Sequence, residues 1–280
     1  MPPEILEIAS QSTMASPVTP RHRRSISKLI ESTRQLAKNS KKLFAQPLDD
    51  FTLHGETYSL PRFLFVGPPG GGDYLRIGIF AGVHGDETAG IDASLRFLQE
   101  LHRTPDIARG YEIFVYPVCN PTGYEDNTRW TRSGKDLNRE FWHDSRLPEV
   151  RQLEEELRGL HFQGIISLHA DDTSDGLYGF ARGSALTRYV LQPALQAAAE
   201  VLPINAQRII DNFNAQNGII HRSCYQGILG APPEVRPRPF EIVFETPQLA
   251  DHDKQVEAHL RALKAVLSHY QTLISEAQNI

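Results

Sequence analysis

Downstream of Leu75 the chain alternates short apolar runs with segments of helical period, and this alternation limits its possible folds more than any other feature. The runs LRIGIFAGV (75–83), YEIFVYPV (111–118) and GIISL (164–168) have strand length and are apolar almost throughout. Between the first two, Ile91, Leu95, Leu98 and Leu101 recur at three- and four-residue spacing and predict a helix over 89–101. Further helices are expected over 148–160 and from 185 to about 201. A strand is expected at 240–244 (FEIVF), then a long amphipathic helix over 253–276. Strands separated by helices imply an α/β domain whose mixed, largely parallel sheet is covered by helices on both faces.

Upstream, Ile26, Leu29, Ile30, Leu36 and Leu43 predict an amphipathic helix over 25–44. FTLHGETYSLPRFLFVG reads as a hairpin turning near His54-Gly55, with His54 a turn residue, and PPGGGD (68–73) as a loop. The first 24 residues hold Pro2, Pro3, Pro17 and Pro20 and the basic knot Arg21-His22-Arg23-Arg24, the composition of a poorly ordered tail. With no internal repeat and no second core, residues 25–280 are expected to form one domain.

Composition narrows the partners. The net charge is −5 over 280 residues and Lys and Arg are dispersed, so neither nucleic acid nor an anionic membrane is an expected partner. No apolar run approaches the ~20 residues that span a bilayer, and the N-terminus lacks the apolar core of a secretory signal, so the expected compartment is the cytoplasm. Cys119 and Cys224 are far apart and lack metal-type spacing. Any metal must therefore be held by His, Asp or Glu.

Ligands in open α/β sheets gather at the carboxyl ends of strands, and here those ends are polar. His84-Gly85-Asp86-Glu87 follows the first run, where His84 and Glu87 could converge on an ion. Alternatively, Asp86 caps the next helix and Glu87 favours its N-terminus. His169 follows the third run and would complete a His2Glu set, an established catalytic zinc arrangement. After the second run comes a long polar loop with Arg129, Arg132, Asp136, Asn138 and Arg139. Its arginines could hold a carboxylate or stabilise an oxyanion, or it could be a solvated basic loop. Glu245 ends the strand FEIVF, where burial and a nearby metal could tune a general base; otherwise it is an ordinary edge carboxylate.

Taken jointly, GVHGDE (82–87), NPTG (120–123), RWTRSGKDLNREF (129–141), SLH (167–169) and FET (244–246) resemble the zinc carboxypeptidase family. The resemblance is to its compact bacterial branch, which includes γ-D-glutamyl-diaminopimelate amidases, and more distantly to succinylglutamate desuccinylase and aspartoacylase. It implies one Zn2+ per chain held by His84, Glu87 and His169, with Glu245 as general base. It further implies Arg129 at the oxyanion, Arg132 being the competing choice, and Asn138 and Arg139 on the substrate's terminal carboxylate. Asp136 would orient His84, and Tyr225 would cap the substrate. The acylase relatives carry a β-rich domain after the glutamate, whereas 35 residues follow Glu245 here, which favours the peptidase or amidase side.

The expected activity is hydrolysis of the amide bond beside a free C-terminal carboxylate, in a peptide or a peptidoglycan-type peptide. One alternative is an N-acyl amino acid deacylase acting on a small acyl-amino-acid substrate. Another is a non-catalytic zinc- or peptide-binding protein.

Overall fold

A computed structural model describes residues 23–53, 55–221 and 225–277. In chain order its elements are α1 (Ile26–Lys38), β1 (Leu43–Ala45), β2 (Phe51–Leu53), β3 (Glu56–Tyr58), β4 (Phe63–Val66), β5 (Leu75–Ala81) and α2 (Thr88–Arg103). There follow β6 (Tyr111–Tyr116), α3 (Pro121–Asp126), α4 (Pro148–Gly159), β7 (Gly164–Asp171), β8 (Tyr178–Ala181), α5 (Ser184–Leu186) and α6 (Gln192–Ala198). The last are β9 (Ile209–Ile210), β10 (Phe213–Gln216), β11 (Ile219–Ile220), β12 (Phe240–Pro247) and α7 (His252–Ala277).

Ten strands form one sheet in the order β1-β4-β6-β5-β7-β12-β8-β11-β10-β9, and β2 and β3 form a separate hairpin. The centre, β6-β5-β7-β12, is parallel, while β4 and β8 join it antiparallel on either side. The expected mixed sheet is thus parallel in its core and antiparallel in most of its flanking pairs. Because the four central strands run the same way, the loops after them open on one rim.

Alternation along β5 shows why its run is apolar throughout. Ile77 and Ile79 join a core shared with Leu98 and Leu101 of α2 and Leu260 and Leu263 of α7. Phe80 faces the other side, stacks on Tyr116 at 4.5 Å and packs with Leu153 and Leu157 of α4. Helices therefore cover both faces, and each strand position must exclude water.

Three expectations change at their edges. α1 stops at Lys38 rather than at 44, because Ser40 Oγ accepts from the Lys42 and Leu43 amides and turns the chain into β1. Leu43 then pairs with Phe65 in the sheet. The helix expected from 185 to about 201 passes through a π turn at Thr187–Leu191, next to Pro193, which has no amide hydrogen to donate. The stretch after it, irregular by sequence, contains β9–β11. These strands of two to four residues are too short to carry a period.

Residues 1–22 of the expected tail lie outside the described residues, as do His54 and Cys224. Arg23 pairs with Glu56 and Asp126, and the Arg24 amide donates to the Glu125 carbonyl, so the described chain is tied down from its first residues. The hairpin forms as expected, with Leu53 opposite Glu56.

Candidate active site

The turn after β5 places the first two candidate ligands. Gly82 adopts φ +59°, and a Cβ on Gly85 would stand 1.9 Å from the carbonyl carbon of Gly123, so two glycine backbones touch here. Asn120 caps α3 by accepting from the Gly123 amide at 2.9 Å, which holds the facing turn. The capping alternative for the HGDE turn does not apply. α2 begins at Thr88, Glu87 occupies its N-cap position without a side-chain bond to the helix, and Asp86 caps nothing. The Glu87 carboxylate is spent elsewhere.

It lies between two imidazoles. Oε1 is 2.5 Å from His84 Nδ1, and Oε2 is 2.9 Å from His169 Nδ1 and accepts from the Ala170 amide at 3.1 Å. One donor atom from each of the three residues falls within 4.8 Å of the others, and all three side chains are buried. Two imidazoles turning the same nitrogen toward one carboxylate is the donor chemistry of a His2Glu zinc site, so the residues fit the ion. His84 Nε2 meets Asp136 Oδ1 at 3.2 Å, the carboxylate contact that fixes the ring of a metal-binding histidine.

The electrostatics are those of a cation site. Burial disfavours a charged His84, but the Glu87 charge and the Asp136 hydrogen bond outweigh it and lift the imidazole to about 9. Burial also opposes the Glu87 charge, yet the two histidines hold its carboxyl well below the usual carboxylate range. Burial pushes the His169 imidazole down.

Asp136 ties the polar loop to this centre. Its Oδ2 receives Arg129 Nε at 3.2 Å and Nη2 at 3.0 Å, which leaves Arg129 Nη1 3.6 Å from Glu87 Oε1. Arg132, the competing arginine, points away into Glu56, Tyr58, Glu125 and Asp126. Asn138 and Arg139 lie on a short 3-10 turn that starts at Leu137. Asn138 Oδ1 accepts from the Leu229 amide at 2.8 Å, leaving the Nδ2 donor free among the described residues. Arg139 is exposed, with its guanidinium 5.8 Å from the centre of the Tyr225 ring.

Glu245 sits opposite His169 in the β7–β12 register and opposite Tyr178 on β8. Burial first, then the charges of Glu87 and Asp171, push its carboxyl well above the usual range. His84, Glu87, His169, Arg129, Asn138, Arg139, Tyr225 and Glu245 all line one cleft of about 300 Å³, while Asp136 stands behind it. Sequence reasoning missed Asp171, which accepts from Tyr178 Oη at 2.9 Å, and Asp211, which hydrogen-bonds Tyr225. Asp171 had a signal, since on a strand it faces the same way as His169 two residues before it. Asp211 had none.

The Succinylglutamate desuccinylase/Aspartoacylase catalytic domain model matches residues 73–208, a span that includes His84, Glu87, Arg129, Asp136, Asn138, Arg139 and His169 but not Asp211, Tyr225 or Glu245. No curated protein matches the chain. Among solved structures, a candidate metallopeptidase from Shewanella baltica OS155 is 22% identical with a TM-score of 0.70, over 86% of this chain and 90% of that one. A metallo-carboxypeptidase from Burkholderia cenocepacia is 17% identical with a TM-score of 0.61, over 88% and 68%. One from Pseudomonas aeruginosa, in complex with (2-guanidinoethylmercapto)succinic acid, is 15% identical with a TM-score of 0.63, over 88% and 68%. At these identities the likeness is one of fold. The catalytic-domain match over 73–208 and the shared fold are consistent with a zinc carboxypeptidase-like family.

Proposed function

We propose that the protein is a zinc-dependent hydrolase that cleaves the amide bond beside a free C-terminal carboxylate, in a peptide or a peptidoglycan-type peptide. The observation that carries this reading is the meeting, in one cleft, of the His84–Glu87–His169 cluster, the Glu245 carboxylate and the Asn138–Arg139 pair. His84, Glu87 and His169 would hold the ion. Bound there, zinc supplies Lewis acidity toward the attacking water and the scissile carbonyl.

The chain's own residues do the rest. Glu245, whose raised carboxyl is a ready proton acceptor, takes the proton of the attacking water and passes it to the leaving amine. Arg129, steered by Asp136, offers Nη1 to the developing oxyanion. Arg139 and the free Asn138 amide hold the terminal carboxylate, and Tyr225 covers it from the far wall.

A second reading, an N-acyl amino acid deacylase, is favoured by the catalytic-domain match over 73–208. The experiment is a screen of the zinc-loaded chain, with amino-acid release as readout. The panel holds dipeptides, γ-D-glutamyl-diaminopimelate, and acetyl- and succinyl-amino acids. Release from peptides supports the first reading, and release from acyl-amino acids alone supports the second. Bound zinc without release from any carboxyl-terminated amide would leave a non-catalytic binding protein.

A further inference from the structure

Three polar side chains are buried together between β12 and α7: Thr246 on the strand, and Gln255 and His259 on the helix. Gln255 and His259 are four residues apart and share one helix face. Strand alternation turns Phe244 and Thr246 toward that face, while Glu245 between them lines the cleft. The His259 ring stands T-shaped to Phe244 with ring centres 5.6 Å apart, and its Nε2 lies 3.3 Å from Thr246 Oγ1. The same hydroxyl is 3.1 Å from Gln255 Oε1 and 3.4 Å from the His169 carbonyl. One cluster therefore touches the residues on both sides of Glu245 and the backbone of His169, its partner across the ladder.

The direction of each hydrogen bond follows from Gln255. Its Nε2 donates to the Gln248 and Ala250 carbonyls at 3.0 and 2.8 Å, so its amide oxygen faces Thr246 and accepts. The Thr246 hydroxyl has one proton, which goes to that oxygen, so its lone pairs take an N–H from His259. The imidazole proton therefore sits on Nε2, and Nδ1, buried without a partner among the described residues, carries none. The relay runs from His259 through Thr246 to Gln255 and ends on the loop that leaves β12, whose Gln248 also lines the cleft.

We propose that His259 is a positioning residue: through Thr246 it fixes the end of β12 and so aims the Glu245 carboxylate at the His84–Glu87–His169 cluster. This rests on the reading above, in which Glu245 is the general base. Pro247 cannot donate to the ladder, so just beyond Glu245 the Thr246 hydroxyl ties the strand to the helix. Loosening that tie would leave Asn138 and Arg139, on another loop, in place, and the loss should fall on kcat rather than KM.

The test reads the ring and the rate separately. Nitrogen NMR of isotope-labelled histidine side chains, with His259→Gln locating the signal, should show a neutral His259 ring protonated at Nε2. The zinc-loaded chain is assayed on the panel of dipeptides, γ-D-glutamyl-diaminopimelate and acyl-amino acids. There His259→Leu should lower kcat about 10- to 100-fold, with KM within about twofold and zinc content unchanged. His259→Gln, whose amide can donate from near the position of Nε2, should recover most of that loss. Thr246→Val removes the hydroxyl alone, should match His259→Leu, and carries the test if His259→Leu does not fold. In a Glu245→Gln background neither change should lower the rate further. A loss carried by KM or by zinc, a loss that His259→Gln leaves unrecovered, or full additivity with Glu245→Gln would overturn the proposal. A ring protonated at Nδ1 in a chain that hydrolyses the panel would sink the relay while the hydrolase reading stands. The expected tautomer without release from any substrate would sink the hydrolase reading, while the tie between α7 and β12 stands.

Discussion

Without metal, His84 should carry a proton at neutral pH, and a metal ion must displace it. The imidazole titrates at about 9, while burial keeps His169 below its ordinary value and Glu87 stays a carboxylate. Binding at about pH 7 should then release close to one proton per ion. Below about pH 9 each unit of acidification should weaken the apparent affinity about tenfold, or ~1.4 kcal/mol, so going from about pH 8 to about pH 6 costs about a hundredfold. Stability of the metal-free fold should run the opposite way. The His84 value is raised above its unfolded 6.5, so its ion pairing stabilises the fold fully below about 6.5 and is lost as pH rises through about 9. That contribution is on the order of 3 kcal/mol. Chelator competition across this range gives the affinity, and calorimetry in buffers of different ionisation heat counts the protons. An affinity flat between about pH 6 and about pH 8, with no proton release, would refute the claim that Glu87 and Asp136 hold His84 protonated.

Other substitutions probe separate parts of the site. His84→Ala should lose most bound zinc, whereas the exposed His252→Ala, whose partner is Asp92, should keep it; equal zinc by elemental analysis would remove His84 from the ligand set. Glu245→Gln should retain zinc and fold but lose roughly 10² to 10⁴-fold in kcat, and near-wild-type turnover would show that another group takes the proton. Amidating the substrate's carboxyl terminus should lower kcat/KM about tenfold or more, and a peptide and its amide cleaved alike would release Arg139 and Asn138 from their role. Gly85→Ala should destabilise the fold by about 3 kcal/mol and weaken zinc binding, because its methyl would drive the two site-bearing turns apart. An unchanged Tm would show that the turns can separate freely.

What could be read from sequence follows from how locally each feature is encoded. β5, β6 and β7 are largely apolar on both faces, so their runs stand out without any partner in view, and the polar residues that end them mark the rim. His84, Glu87 and His169 were legible for that reason. The end of α1 was not, because Leu43 fits the helical period and only the Ser40 turn takes it into the sheet. The choice of Arg129 over Arg132 depended on motif spacing alone until the fold sent Arg132 to the hairpin network. Of the wall formed by Tyr225, Asp211 and Phe180, only Tyr225 was reached, through the resemblance; the rest was hidden, since it assembles from β8 and the loops around the short strands, where contacts distant in sequence decide the structure.

The register of β7 against β12 has a consequence for how a chain with this site can change. His169 and Glu245 are paired across adjacent parallel strands, so the distance between the proposed ligand and the proposed base is fixed by the ladder that holds the sheet together. Slipping β12 by one residue would turn Glu245 to the opposite face, beneath the helices, and would expose its core positions at the same stroke. The reacting geometry is thus protected by the stability of the whole sheet, and selection against misfolding also guards the chemistry. The loops carrying Arg139 and Tyr225 have no such lock, so the far side of the cleft can drift while the interval between His169 and Glu245 stays the same.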